Sequence, residues 1–131
     1  MNDLARFHHV AVTVSNLEHS VSWYTDVLGF ETVFREDDGE RKACIMRFTA
    51  GGYSVGLVQH GPDSDESFDP TRVGLDHLAF DVEARDQLDE WATRLTAAGV
   101  EHSGVIDVPP GAILNFKDPD SIALALFWTR T

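Results

Sequence analysis

The chain repeats itself, and that repeat limits its possible folds more than any other feature. His9 and His77 stand 68 residues apart (77 − 9 = 68), and so do Trp23 and Trp91 (91 − 23 = 68). Each His lies in a stretch of alternating apolar residues, over 7–14 and 75–82, which is the period of a half-buried strand. In the first stretch Val10, Val12 and Val14 share one face, and His9, Ala11 and Thr13 share the other. Apolar residues at helical spacing follow each stretch: Leu17, Val21, Tyr24 and Leu28, then Leu88, Trp91, Leu95 and Ala98. Gly29 and Gly99 close the two helices, and Ser15 or Asn16 can cap the first. The glycines are 70 residues apart (99 − 29 = 70), so two residues enter late in the second helix.

Three strands are expected after each helix, over 30–35, 42–49 and 53–60, then near 100–103, 112–117 and 122–128. Asp37-Asp38-Gly39, Ala50-Gly51-Gly52 and the run from Lys117 to Ser121 supply the turns. The predicted architecture is α+β: a first βαβββ module over about 5–60, a linker over 61–73 rich in Pro, Asp, Ser and Glu, and a second module over about 74–129. Two units that match in order but number only two fit paired half-barrels and not a solenoid.

Composition removes several classes of function. The net charge is −12 and the ten basic residues are scattered, whereas phosphate binding needs them clustered. No nucleic-acid partner is expected. The acidity serves general solubility or draws in cationic ligands. The longest apolar run, 122–128, is too short to cross a bilayer, and the first residues carry no signal-peptide pattern. No membrane association is therefore expected. Cys44 is the one cysteine, which rules out an internal disulfide and suits a reducing, cytoplasmic compartment. Its place in an alternating apolar stretch reads as a small buried hydrophobe.

The order of motifs resembles a known superfamily. The run from His9 to Leu17, then Ser22-Trp23-Tyr24 and Leu28-Gly29-Phe30, resembles the first-module opening of vicinal-oxygen-chelate proteins, the glyoxalase/bleomycin-resistance/dioxygenase group. The run from Leu75 to Phe80 resembles the second-module strand, and Phe116-Lys117-Asp118-Pro119-Asp120 the penultimate turn, where Ser121 replaces the usual Gly or Asn. The resemblance spans nearly the whole chain. It implies a glyoxalase-like pair of half-barrels around a cavity, a small-molecule ligand and a homodimer.

The resemblance also implies a four-ligand divalent-metal site at His9, position 56, His77 and position 125. Gly56 and Ala125 stand where the two carboxylates belong, so only His9 and His77 of the metal set are present. A catalytic zinc normally has three protein ligands, and a dioxygenase iron needs two His and a carboxylate. No cofactor is therefore certain: a divalent metal is possible, but with both expected carboxylates missing. His60 and Asp81 share the cavity-side parity of Gly56 and His77, each about four residues or roughly 13 Å along its strand. They stand as ligand contacts or solvent-facing strand ends. Small residues at 56 and 125 are expected to widen a cavity that Asn115 and Phe127 also line.

Three roles are open to the His pair: substrate contact or acid–base work near neutral pH, inheritance without function, or a residual metal pair. Function divides between a binder of a small or cationic compound and a metal-free lyase or isomerase. The alternative is a divalent-metal-dependent lyase, isomerase or dioxygenase using His9 and His77.

Overall fold

The computed structural model describes residues 3–47 and 54–131, and it divides into two compact units, Met1–Asp65 and Glu66–Thr131. Each is βαβββ, giving an α+β chain of two four-stranded mixed sheets and two helices. Unit 1 carries β1 (His9–Thr13), α1 (Leu17–Leu28), β2 (Glu31–Asp37), β3 (Arg41–Arg47) and β4 (Ser54–His60) in sheet order β1-β4-β3-β2. Unit 2 carries β5 (Leu78–Asp81), α2 (Arg85–Ala97), β6 (His102–Val108), β7 (Gly111–Lys117) and β8 (Ala123–Thr129) in the matching order β5-β8-β7-β6. The first strand of each unit pairs in parallel with the last, and the other pairs are antiparallel. The expected turn Ala50-Gly51-Gly52 lies outside the described residues.

In unit 1 the strand period sorts the side chains as the alternation predicts. Val12 and Val14 are buried while Ala11 and Thr13 are exposed. Helix α1 covers the valine face with Leu17, Val21, Tyr24 and Leu28, all buried. Asn16 caps it, its side-chain oxygen accepting from the His19 N–H at 2.9 Å. Gly29 ends it in the left-handed region at φ 76°, its N–H donating to the Thr25 carbonyl. Gln59, buried at the end of β4, accepts from the Leu17 N–H at 2.7 Å and donates to the Gly61 carbonyl and to Asp63. Asn16 donates to the other Asp63 oxygen, so three polar side chains tie the chain after β4 to the start of α1. The β2–β3 hairpin closes on Asp38, whose carboxylate accepts from the Arg41 and Glu40 N–H groups. Those donors hold Asp38 below the usual carboxylate range.

Helix α2 buries Leu88 and Leu95, while Trp91 is half-buried beneath the Arg94 guanidinium, 3.7 Å from its ring centroid. Ala98, expected on the buried stripe, is exposed, because the helix ends at Ala97 and Gly99 turns the chain at φ 74°. Ala84 at the N-cap has no side-chain acceptor. Instead Gln87 reaches back to accept from the Glu83 and Ala84 N–H groups. Strand β6 is longer than its expected span of 100–103. It runs on through a β-bulge between His102 and Val105, which breaks the alternation that sequence reading relies on. Ser121, in the turn that resembles the family's, sits at φ 66°, where Gly or Asn is at ease. Asp118 holds that turn by accepting from the Asp120 and Ile122 N–H groups.

Gly111 opens β7 where the backbone of β8 runs closest. A Cβ there would collide with the Trp128 carbonyl oxygen, and backbone on both sides leaves nothing to give way. Gly111→Ala is therefore expected to cost about 3 kcal/mol, the upper end of an over-packing penalty. Chemical unfolding checks it, and a variant as stable as the wild type would show that β7 and β8 can separate freely.

Candidate functional site

The parallel register places the candidate residues of each unit. In unit 1, Ala11 lies opposite Gly56, and His9, two residues earlier on the same face, pairs with Ser54. In unit 2, Ala79 lies opposite Ala125. His77 immediately precedes β5, and the same alternation leaves it on the Ala79 side, away from Leu78. The position two residues beyond each His therefore pairs with Gly56 in one unit and with Ala125 in the other. Asn115 pairs with Ala125 from the opposite side, and Phe127, half-buried, pairs with Asp81 and Ile113 on the same face.

Within its own unit, neither His60 nor Asp81 is brought to the histidine. His60 is exposed at the end of β4 and pairs with Arg41, six residues from the Ser54 that faces His9, roughly 20 Å along the strand. Asp81 is exposed at the end of β5, four residues beyond His77. Within their units, neither joins a cluster with the imidazole it accompanies.

The expectation that small residues open space needs correcting. A Cβ at Gly56 would stand 3.1 Å from the Ala11 Cβ and 3.2 Å from the Ile45 Cδ1, so neighbours already fill that volume. Ile45 can swing its terminal methyl aside, but the position is packed as it stands. Ala125 is only 1 % exposed. Each position is closed within its own sheet; the exposed groups on that face are His9 and Ala11 in unit 1, and His77, Ala79 and Asn115 in unit 2.

Each His has a polar neighbour that the alternation rule concealed. His8 and His9 meet edge to face, with their Nδ1 atoms 2.8 Å apart. The Nδ1 of His77 stands 2.7 Å from an Asp76 carboxylate oxygen. Adjacent residues in a strand point to opposite faces, so sequence reasoning paired neither His with the residue before it. The contacts form because His8 precedes β1, and Asp76 and His77 precede β5. The repeat offset was the available signal, since 76 − 8 = 68 as well.

A family model of the glyoxalase/bleomycin resistance protein/dioxygenase superfamily matches residues 6–126. The chain belongs to this superfamily. It is similar to the solved glyoxylase/bleomycin resistance protein/dioxygenase domain from Frankia sp. EAN1pec, with a TM-score of 0.91 and 36% identity over 98% of this chain and 100% of that one. It is 30% identical to the uncharacterized protein YwkD of Bacillus subtilis (strain 168), over 95% of this chain and 97% of the relative. A metallothiol transferase, FosB, of Shouchella clausii (strain KSM-K16) is 33% identical over 86% of this chain and 73% of its own length.

The residues at the superfamily's inherited metal positions do not suit a divalent ion. Each unit offers one imidazole, beside Gly56 in one and Ala125 in the other, neither with a donor atom. Two neutral imidazoles give neither the ligand number nor the negative charge that such an ion takes from protein. Among the described residues no three His, Cys, Asp or Glu side chains group closely enough to hold one. No helix among them is long and apolar enough to cross a membrane.

Because Ala125 is closed in, Ala125→Phe is expected to lower unfolding free energy by about 1–3 kcal/mol, as over-packing does. Thermal or denaturant unfolding measures this. An unchanged midpoint would reveal free volume beside Ala125.

Proposed function

We propose that this protein handles a small molecule without the superfamily's metal at the inherited position, either binding a small or cationic compound or acting as a metal-free lyase or isomerase. One observation carries the reading: both positions that would supply carboxylates hold Gly56 and Ala125, packed in without a donor atom. Each unit offers its own candidate contacts on that face: His9 in unit 1, and the exposed His77 and Asn115 with the half-buried Phe127 in unit 2. A charge of −12 favours a cationic compound. The lyase or isomerase reading draws its support from Asp76, since an imidazole held by a carboxylate is the usual furnishing of a proton-transfer group.

A homodimer and a cytoplasmic location belong to the same proposal. Strand β2 supports the first: it is a sheet edge exposed along its whole length, with Val33 and Phe34 about half uncovered. Cys44, free and buried, suits the second. A strictly monomeric solution mass across micromolar concentrations would remove the dimer.

Elemental analysis of protein purified without added metal tests the central claim, with native mass spectrometry reporting any retained organic ligand. Far less than one zinc, manganese, nickel or iron per chain is expected, with no change on His9→Ala. A stoichiometric ion lost in that variant would overturn the proposal and restore the divalent-metal-dependent enzyme, a reading that the name of the metallothiol transferase relative keeps in view. Turnover of a compound found by screening would separate the lyase or isomerase from the binder.

A further inference from the structure

We infer that Asp76 is a positioning residue that fixes His77 with its proton on Nδ1 and its lone pair on Nε2, making His77 rather than His9 the proton-accepting group. The inference rests on the lyase or isomerase reading above. An ionised carboxylate has no hydrogen to give, so at 2.7 Å the Nδ1–H of His77 must donate to Asp76. That bond selects one of the two neutral tautomers and leaves Nε2 as an acceptor. Among the described residues no hydrogen bond uses that nitrogen, and the His77 side chain is 55% exposed, so a ligand can reach it.

His9 has no such instruction. Its Nδ1 meets the Nδ1 of His8 at 2.8 Å, and either ring can donate while the other accepts. The two arrangements use the same atoms at the same distance, so the tautomer of His9 is not selected by its neighbour. The repeat has placed a partner one residue before each imidazole, but only the second unit supplies an acceptor that cannot reverse roles.

The chemistry that follows is a proton abstraction. The C–H bond of a carbon acid breaks, its electron pair stays on the substrate as an enolate-like anion, and an N–H bond forms at Nε2. The imidazolium so produced lies against the Asp76 carboxylate, which offsets its charge, and the proton returns to the substrate or its product from the same nitrogen. A holder of ligands needs none of this, since either tautomer can make one hydrogen bond.

Long-range proton–nitrogen correlation NMR on uniformly labelled full-length protein reads the tautomer directly. The measurement is made at about pH 8.5, two units above the ordinary imidazole value. In the wild type His77 is expected as the Nδ1–H form. Asp76→Ala should return it toward the Nε2–H form that a free imidazole favours, and Asp76→Asn, whose amide can donate as well as accept, should leave a mixture of the two forms. The His9 pattern and the melting temperature should be the same in all three, showing that the fold is intact. Wild-type His77 as Nε2–H, or no change in Asp76→Ala, would overturn the inference. A wild type that carries a stoichiometric metal with His77 in the Nδ1–H form would sink the metal-free reading and the proton-accepting role with it, leaving only the tautomer assigned to Asp76.

Discussion

The parallel pairing of each unit's first strand with its last is the constraint on which the rest is built. A parallel pair cannot be joined by a tight turn, so the chain must leave the sheet edge, cross through a helix and return through two antiparallel strands. That route buries Val12, Val14 and Leu57 beneath α1 in unit 1, and Leu124, Leu126 and Leu114 on the matching face of unit 2. Once those residues face the helix, the period of two leaves no freedom for the others. Ala11 and Gly56 must meet on the opposite face, and so must Ala79 and Ala125. A slip of one residue would expose the whole helix-facing set, so hydrophobic burial in one layer fixes the geometry of the candidate site in the other.

Much of this was legible in the chain itself because the signals were redundant. The repeat offset, the two helical stripes and the closing glycines agree with one another, and the strand–helix–three-strand order follows from them. Where one signal stood alone, reading was less accurate. Strand β6 outran its expected span because a bulge at Ser103 and Gly104 interrupts the alternation that marks a strand. Ala98 looked like core because it continues the spacing of Leu88, Trp91 and Leu95, yet the helix has already ended there. The polar neighbours of the two histidines were hidden for a related reason. Alternation holds only within a strand, and these residues stand at or just before a strand's first position, where adjacent side chains can meet.

The replaced carboxylates illustrate what sequence can and cannot convey about a site. That positions 56 and 125 carry no donor is visible from the residues alone. What occupies the vacated volume is not, because it depends on cross-strand neighbours. Ile45, on β3, reaches over Gly56, and the register that brings it there depends on the β3–β4 pairing. Where the family resemblance would place carboxylates, glycine in unit 1 and alanine in unit 2 are each closely packed within their own sheet. Burying apolar surface at such positions is favourable, while an ionised carboxylate there would need a cation or hydrogen-bond donors to offset its desolvation.

Duplication also explains why the two units need not share a task. Equal halves begin with equal residues, and each can then drift as long as its own sheet keeps its register. Here the strand residues stayed under the constraint of burial, whereas those just before β1 and β5 carried no packing duty. His8 and Asp76 occupy that freed position, both exposed. They change what the following imidazole can do without touching the core beneath it. A carboxylate removes the ambiguity in its neighbour's tautomer, and a second imidazole preserves it. Chemical difference between the halves thus collects where the fold is indifferent to it, one or two residues outside the strands that fix everything else.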